Sequence, residues 1–371
     1  MSDRIQERKA EHLRLTATAD VESRRGAGWA DVRLLHASLP EIDLDEVDCS
    51  QVFLGRRLSF PLVIASMTGG FEAAEAVNAV LGRAAEAHGI ALGVGSQRAA
   101  LARPELSASY ARARREAPTA FLIANIGAPQ LIAQEGRPSL QLEQVRAATE
   151  MVSADALAVH LNFLQEMVQP EGDRQSRGCC AAIGDLAANL ALPVIAKETG
   201  AGMSRRAAES LAGCGVAALD VGGAGGTSFA AVEGLRAAAQ GDRTQAKLGE
   251  VFRDWGIPTP VSVVEAATTR LPVIATGGVR TGLDAARAIA LGAALVGVAR
   301  PLVQAALEGS EAVDAWLERF MRQFRTAMFL TGCATVDELR RQPTVVLGET
   351  REWLLQLGHG EQLRIGVGSM G

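Results

Sequence analysis

Residues 156–174 read Ala156-Leu157-Ala158-Val159-His160-Leu161-Asn162-Phe163-Leu164-Gln165-Glu166-Met167-Val168-Gln169-Pro170-Glu171-Gly172-Asp173-Arg174. The apolar run Ala156–Val159 predicts a buried strand. His160 and Asn162 are two residues apart, so on a continuing strand they point the same way. Gln165 and Glu166 follow where the strand gives way to a loop. A titratable ring, two amides and a carboxylate therefore converge at the C-terminal end of a strand, which is where parallel α/β proteins bind their ligands. Taken alone, the stretch fits a polar strand end with satisfied hydrogen bonds equally well. Its surroundings decide the matter.

Seven further apolar runs accompany it: 61–65, 90–94, 121–124, 193–196, 216–219, 271–275 and 293–296. Helical periodicity fills gaps between them, as in 73–88, 140–153, 203–213 and 283–291. Continuous apolar strands separated by amphipathic helices imply parallel strands covered on both faces. Eight such units predict an α/β fold, a (β/α)8 TIM barrel with N- and C-terminal extensions, forming a single domain over 1–371. Periodicity alone also admits a doubly wound sheet. The run ends carry the stronger signal. They read Ser66-Met67-Thr68-Gly69-Gly70, Ser96-Gln97-Arg98, Asn125-Ile126-Gly127, His160-Leu161-Asn162, Lys197-Glu198-Thr199-Gly200, Asp220-Val221-Gly222-Gly223, Thr276-Gly277-Gly278-Val279-Arg280 and Gly297-Val298-Ala299-Arg300. In a barrel these polar and glycine-rich ends form one ring around one mouth, an enzyme's distribution. Residues 1–57 precede the first run as an extension, and the stretch 236–260 reads as an inserted loop and a candidate lid.

Composition narrows the class. With 371 residues, 48% of them hydrophobic, the chain can bury a large core, and a net charge of −5 gives no nucleic-acid-binding surface. No apolar run is long enough for a membrane span, and the charged start lacks the apolar core of a signal peptide. Five cysteines without CxxC spacing argue against a full disulfide framework, so a reduced, cytoplasmic protein is expected. Of 37 basic residues only Lys9, Lys197 and Lys247 are lysines; Lys247, in a polar loop, reads as chance, while at Lys9 and Lys197 a compact ammonium is of interest.

The last two strand ends, Gly277-Gly278 and Ala299-Arg300, sit where this fold cradles phosphate on backbone N–H groups. Gly222-Gly223-Ala224-Gly225-Gly226-Thr227 adds a donor-rich segment but lacks the context of a dinucleotide fingerprint. Lys197 fits three roles: a Schiff-base amine, a counter-charge to an anionic cofactor, or an ion-pair partner of Glu198. Glu166 fits a Mg²⁺ ligand, since this ion takes one or two carboxylates with substrate phosphates and water. It fits a solvated loop glutamate equally well. Arg8-Lys9-Ala10-Glu11-His12 reads as a solvated tail or as a segment folded over an anionic ligand.

Taken together, these residues resemble the type II, FMN-dependent isopentenyl diphosphate isomerases. The likeness runs through Arg8-Lys9-x-Glu11-His12, Leu39-Pro40-Glu41-Ile42-Asp43, Met67-Thr68-Gly69-Gly70, Ser96-Gln97-Arg98 and Asn125-Ile126-Gly127. It continues through His160-x-Asn162-x-x-Gln165-Glu166, Gln169-Pro170-Glu171-Gly172-Asp173, Lys197-Glu198-x-Gly200-x-Gly202 and Gly225-Gly226-Thr227. It ends at Gly277-Gly278-x-Arg280-x-Gly282-Leu283-Asp284, Ala299-Arg300-Pro301 and Ala327-Met328-Phe329-Leu330-Thr331-Gly332. The resemblance implies interconversion of isopentenyl and dimethylallyl diphosphate with reduced FMN and Mg²⁺, NADPH priming the flavin. It implies FMN held by Ser66, Met67, Thr68, Ser96, Asn125, Lys197, Thr227, Gly277, Gly278, Arg280, Ala299 and Arg300. Substrate falls to Arg8, Lys9, His12, Ser96, Gln97, Arg98 and Gln165, catalysis to Gln165, His160 and Asn162, and Mg²⁺ to Glu166. A homo-tetramer or homo-octamer is implied, with the Arg8-Lys9 segment a candidate to complete a neighbour's site.

Two positions depart from that pattern. Phe163 stands where many relatives have proline, and Phe229 where many have tryptophan. Rival readings are another FMN barrel oxidoreductase acting on 2-hydroxy acids, a Schiff-base aldolase, and a flavin-binding protein without turnover. The first needs an arginine–histidine pair after strand 7 or 8, and no histidine lies between His160 and His359. The second leaves Arg8, Lys9, Gln165 and Glu166 unexplained. The third does not require the diphosphate set Arg8, Lys9, Arg98 and Glu166, which is intact here.

Overall fold

The computed structural model describes residues 2–360. A helix α1 (Ser2–Thr18) opens the chain. Eight parallel strands then close on one another: β1 (Leu62–Ile64), β2 (Ala91–Gly93), β3 (Leu122–Gly127), β4 (Ala156–Leu161), β5 (Val194–Glu198), β6 (Ala218–Asp220), β7 (Val273–Thr276) and β8 (Leu295–Val298). Neighbours pair in sequence order, and β8 pairs with β1 to close the barrel. The expected (β/α)8 barrel with terminal extensions is what forms. Several strands end later than their apolar runs, because His160, Lys197, Asp220 and Thr276 are themselves ladder residues.

Alternation decides which residues face where. Val63, Ala91, Ile123, Ala158, Ile195 and Ile274 fill the barrel interior, while Leu62, Ile64, Leu92, Leu122 and Leu219 pack outward under the helices. The hairpin Gln51–Phe53/Arg56–Leu58 turns through Leu54 and Gly55, both at positive φ. It plugs the N-terminal end of the barrel with Phe53, which packs edge-on against Phe121 at 5.8 Å between ring centroids.

The outer helices include α2 (Ala73–His88), α3 (Ser107–Glu116), α4 (Leu142–Met151), α5 (Phe163–Val168), α6 (Cys179–Asn189), α7 (Arg205–Gly213) and α8 (Phe229–Ala239). They continue with α9 (Arg243–Val251), α10 (Thr259–Ala267), α11 (Gly282–Ala290), α12 (Arg300–Glu308) and α13 (Ser310–Leu330). The stretch 236–260 is therefore not a loop. It holds α9, which packs on α8 where Gly234 and Gly249 bring the two backbones together. Small residues at the crossing allow that close approach, and none of 236–260 borders the cavity at the barrel mouth. The lid reading of this stretch is corrected accordingly, and α1 covers the mouth instead. The C-terminal extension is pinned by α13 along α11 and by the strand Thr344–Val346, which pairs with Val32–Leu34 from the N-terminal extension.

The expectation of fully reduced cysteines also fails at one pair. Cys180 in α6 and Cys214 after α7 form a disulfide, while Cys49, Cys179 and Cys333 are free. An odd count argues only against a framework that joins every cysteine. Among the described residues no helix is long and apolar enough to cross a membrane.

At the α11–α13 crossing, a Cβ on Gly282 would overlap the Phe320 carbonyl and the Phe324 amide, backbone that cannot rotate away. Gly282→Ala is expected to cost about 2 kcal/mol by overpacking, read as a lower urea midpoint. An unchanged midpoint would show that the extension is loosely seated.

Candidate active site

Strand register builds the floor of the site. Gly127 lies opposite His160, His160 opposite Lys197 and Lys197 opposite Asp220, so four adjacent strands present one row at the mouth. A cavity of about 250 Å³ opens above it. Every residue expected to hold FMN lines this cavity, as do Arg8, Lys9, His12, Arg98, His160, Asn162, Gln165 and Glu166. Gln97 does not. It is fully buried behind the wall, where Nε2 donates to Ala148 O at 2.6 Å and Oε1 accepts from Asn125 N at 2.9 Å. Its role is to brace the end of β3, which corrects the expectation that it meets substrate.

His160 Nδ1 lies 2.8 Å from Asn125 Oδ1, whose amide nitrogen donates to Val94 O. With the amide so oriented, Nδ1 carries the proton and Nε2 presents a lone pair. Burial, reinforced by Lys197, Lys9 and Arg98, lowers the imidazole pKa to about 3, so the ring is neutral. Lys197 Nζ donates to Asp220 Oδ2 at 2.8 Å. Of the three readings of Lys197, the ion pair with Glu198 does not form; Glu198 instead accepts N–H bonds from Gly200, Ala201 and Gly202. Burial outweighs those bonds and raises Glu198 to about 7.

Helix α1 lies over its own barrel. Lys9 Nζ reaches Gly69 O at 2.9 Å, Ser96 O at 2.6 Å and Tyr110 Oη at 2.7 Å, which accounts for all three ammonium N–H donors. Lys9 thus borders the cavity as a tether and a charge, with no donor left for a ligand in this arrangement. Burial, with Arg8 and Arg98 nearby, lowers it to about 7. His12 Nε2 sits 2.8 Å from Glu233 Oε1, and its ring meets Phe229 edge-on.

Glu233, at the centre of this arrangement, escaped the sequence reading. Its carboxylate also accepts from Gln165 Nε2 at 2.8 Å and from Arg236 Nη1 at 2.5 Å. Burial would raise its pKa, but His12, Arg236 and Gln165 overcome that and hold it at about 2. Glu166 Oε1 accepts from Asn162 Nδ2 at 2.9 Å and Oε2 from Asp173 N at 2.7 Å, while burial raises its pKa. Phe163 starts α5 without displacing this pair. Glu22 bridges Arg280 and Arg300 at the ends of β7 and β8. Glu233 and Glu22 gave no sequence signal, since an acid three residues from an arginine reads as a solvated pair. Tyr110 did give one, as the only tyrosine in the chain.

Two atoms test whether a ligand fits. Thr276 Oγ1 and Asn162 Oδ1 are buried on residues that line the cavity, and neither has a hydrogen-bond partner among the described residues. Buried polar atoms are normally paired, so both suit a polar ligand over the floor. No group of three or more His, Cys, Asp or Glu converges on a metal position among the described residues. A cation at Glu166 would therefore take its other ligands from a bound anion and water.

The sequence profile of the FMN-dependent dehydrogenase family matches residues 111–346. An isopentenyl-diphosphate delta-isomerase of Methanosarcina barkeri is 52% identical over 352 residues, covering 95% of this chain and 94% of that one. One from Halobacterium salinarum is 46% identical over 357 residues, covering 96% and 97%. Among solved structures, a putative lactate oxidase of Pediococcus acidilactici superposes with a TM-score of 0.64 at 15% identity, covering 94% of each chain. A mandelate oxidase mutant carrying a monooxide FMN adduct does so with a TM-score of 0.59 at 21% identity, over 91% of this chain and 92% of that one. At such identities the structures report a shared fold only.

The His160 environment yields a pH prediction. The folded ring stays neutral down to about 3, whereas the unfolded chain protonates it near its ordinary 6.5. The unfolded state binds more protons in that window, so stability is full above 6.5 and falls as pH drops. His160→Gln is expected to reduce the stability lost between pH 7 and pH 5 by about 2 kcal/mol, measured by urea denaturation at both pH values. Equal losses in the two proteins would contradict a neutral buried His160.

Proposed function

We propose that this chain, which belongs to the isopentenyl-diphosphate delta-isomerase family, interconverts isopentenyl and dimethylallyl diphosphate at its barrel mouth. The observation that carries the reading is the joining of two chemistries in one cavity. Residues suited to a flavin line the barrel ends, and Arg8, Arg98 and Glu166 gather at one side under α1. The oxidoreductase alternative lacks its arginine–histidine pair among the described residues, where the only cavity-lining histidines are His12 on α1 and His160 on β4.

Thr276, Gly277, Gly278, Arg280, Ala299 and Arg300 would hold the FMN phosphate end, and Ser66, Met67, Thr68, Ser96, Asn125 and Thr227 the rest of it. Lys197, fixed on Asp220, offers positive charge at the floor, suited to an anionic reduced ring. Reduced FMN, when bound, supplies the proton donor and acceptor nearest the alkene and is not consumed. Arg8 and Arg98 offset the charge of the diphosphate. His160, neutral and held through Nδ1 by Asn125, would offer its Nε2 lone pair to the bound ligands as a hydrogen-bond acceptor. Gln165, its amide fixed by Glu233, orients the alkene. Asn162 holds Gln165 and Glu166 together. His12 closes α1 over the site through Glu233, which excludes water from the reacting carbons.

Glu166 is the Mg²⁺ ligand in this reading, and NADPH is the source of electrons for the flavin. Assembly into a tetramer or octamer belongs to the proposal as well, although Arg8, Lys9 and His12 already reach the mouth of their own chain.

The test is an anaerobic assay with isopentenyl diphosphate, FMN, NADPH and Mg²⁺, each omitted in turn. Dimethylallyl diphosphate formed only with flavin, reductant and metal together is the expected result. A bound, reducible flavin without product would overturn the isomerase reading. In the same assay Glu166→Gln is expected to lose Mg²⁺-dependent turnover, by about a hundredfold or more, while still binding flavin. Normal activity would remove Glu166 from the metal site.

A further inference from the structure

Two loops of the mouth are fastened to each other outside the cavity. The segment after β3 carries Gln134 and Arg137, and the segment after α5 carries Asp173 and Gln175. Gln134 Nε2 donates to Gln175 O at 3.0 Å, and Gln175 N returns a bond to Gln134 Oε1 at 3.0 Å. Beside this pair, Asp173 accepts from Arg98 Nη1 at 2.9 Å through Oδ2 and from Arg137 Nη2 through Oδ1. Arg98 lines the cavity and Arg137 does not.

The Asp173 side chain is only 2% exposed, so its charge cannot be met by solvent. It cannot swing away either. Gly172 makes a tight turn in which a Cβ would overlap the Glu166 carbonyl, and Asp173 N is spent on Glu166 Oε2. A buried carboxylate held in this way must be balanced by cations. With Arg98 alone it would cancel that arginine's charge and draw its guanidinium out toward the loop. With Arg137 on its other oxygen, the triad keeps one net positive charge, and Arg98 carries it at the cavity wall.

We propose that Arg137 is a positioning residue for the substrate. By sharing Asp173 it keeps Arg98 available to the diphosphate, and it steadies the backbone N–H that orients Glu166. This inference rests on the reading of Arg98 as a diphosphate ligand.

The test uses the full-length, FMN-loaded, reduced enzyme with Mg²⁺. Arg137→Gln is expected to raise KM for isopentenyl diphosphate about tenfold, the scale of one charge-assisted hydrogen bond, with kcat within about twofold. Arg137→Lys restores the lost KM. Adding Asp173→Asn to Arg137→Gln lowers KM again, because nothing then pulls Arg98 from the cavity. An unchanged KM in Arg137→Gln would overturn the proposal. So would a joint fall of kcat and thermal midpoint that lysine does not rescue, which would make the contact a loop staple only. Arg98→Ala separates the two levels of the argument. Turnover with an unaltered KM in that variant overturns the Arg98 assignment and this proposal but leaves the isomerase reading standing. No turnover by the wild-type enzyme overturns both.

Discussion

The Glu233 carboxylate has no solvent exposure at its side chain and must be paired within the protein. The three groups that pair with it come from three places: His12 on α1, Gln165 on α5 just after β4, and Arg236 one turn along its own helix. Arg236 extends the network outward to Glu11 and Glu171. One buried charge therefore fixes where the N-terminal helix lies, which way the Gln165 amide faces, and how the mouth is closed. Removing Arg236 or His12 takes a cation from the buried carboxylate and removing Gln165 takes a donor from it, so these positions are coupled.

Beneath that closure, barrel register does the rest. The row Gly127, His160, Lys197 and Asp220 follows from parallel pairing, without any loop having to choose a conformation. The same row explains the electrostatics. Burial, reinforced by Lys197 and its neighbouring cations, keeps His160 neutral, and Asp220 compensates Lys197. The result is a floor with positive character, suited to an anionic ring and a diphosphate at once. Arg8 and Arg98 add cationic charge, and Glu166 lines the same cavity, where the proposed function gives it the metal.

The barrel was legible because its signal is repeated eight times and is local: an apolar run, a polar end, then a helical period. The site was legible wherever a strand end carried it, as at Asn125, His160, Lys197 and Thr276. What escaped was non-local. Gln97 sits in the same motif as Ser96 and Arg98, yet the chain turns into a short helix there and directs it into the wall. Glu233, Asp173 and Glu22 act through partners such as His12, Arg137 and Arg300, from 36 to 278 residues away in sequence, and no spacing rule announces such pairs. The stretch 236–260 misled because its polar composition hides Gly249, which meets Gly234 of the preceding helix and lets one helix lie close against another. The tether that holds Lys9 was not legible, since its acceptors are backbone carbonyls of two distant loops and Tyr110 on α3.

The central claim is that α1 and the barrel ends of one chain form a single site for a flavin and a diphosphate. The most direct measurement is a crystal structure grown anaerobically with FMN, Mg²⁺ and isopentenyl diphosphate. The account predicts the diphosphate between Arg8 and Arg98 with the metal on Glu166, and α1 closed over its own barrel. A diphosphate held away from those residues, or α1 seated on another subunit's mouth, would contradict it.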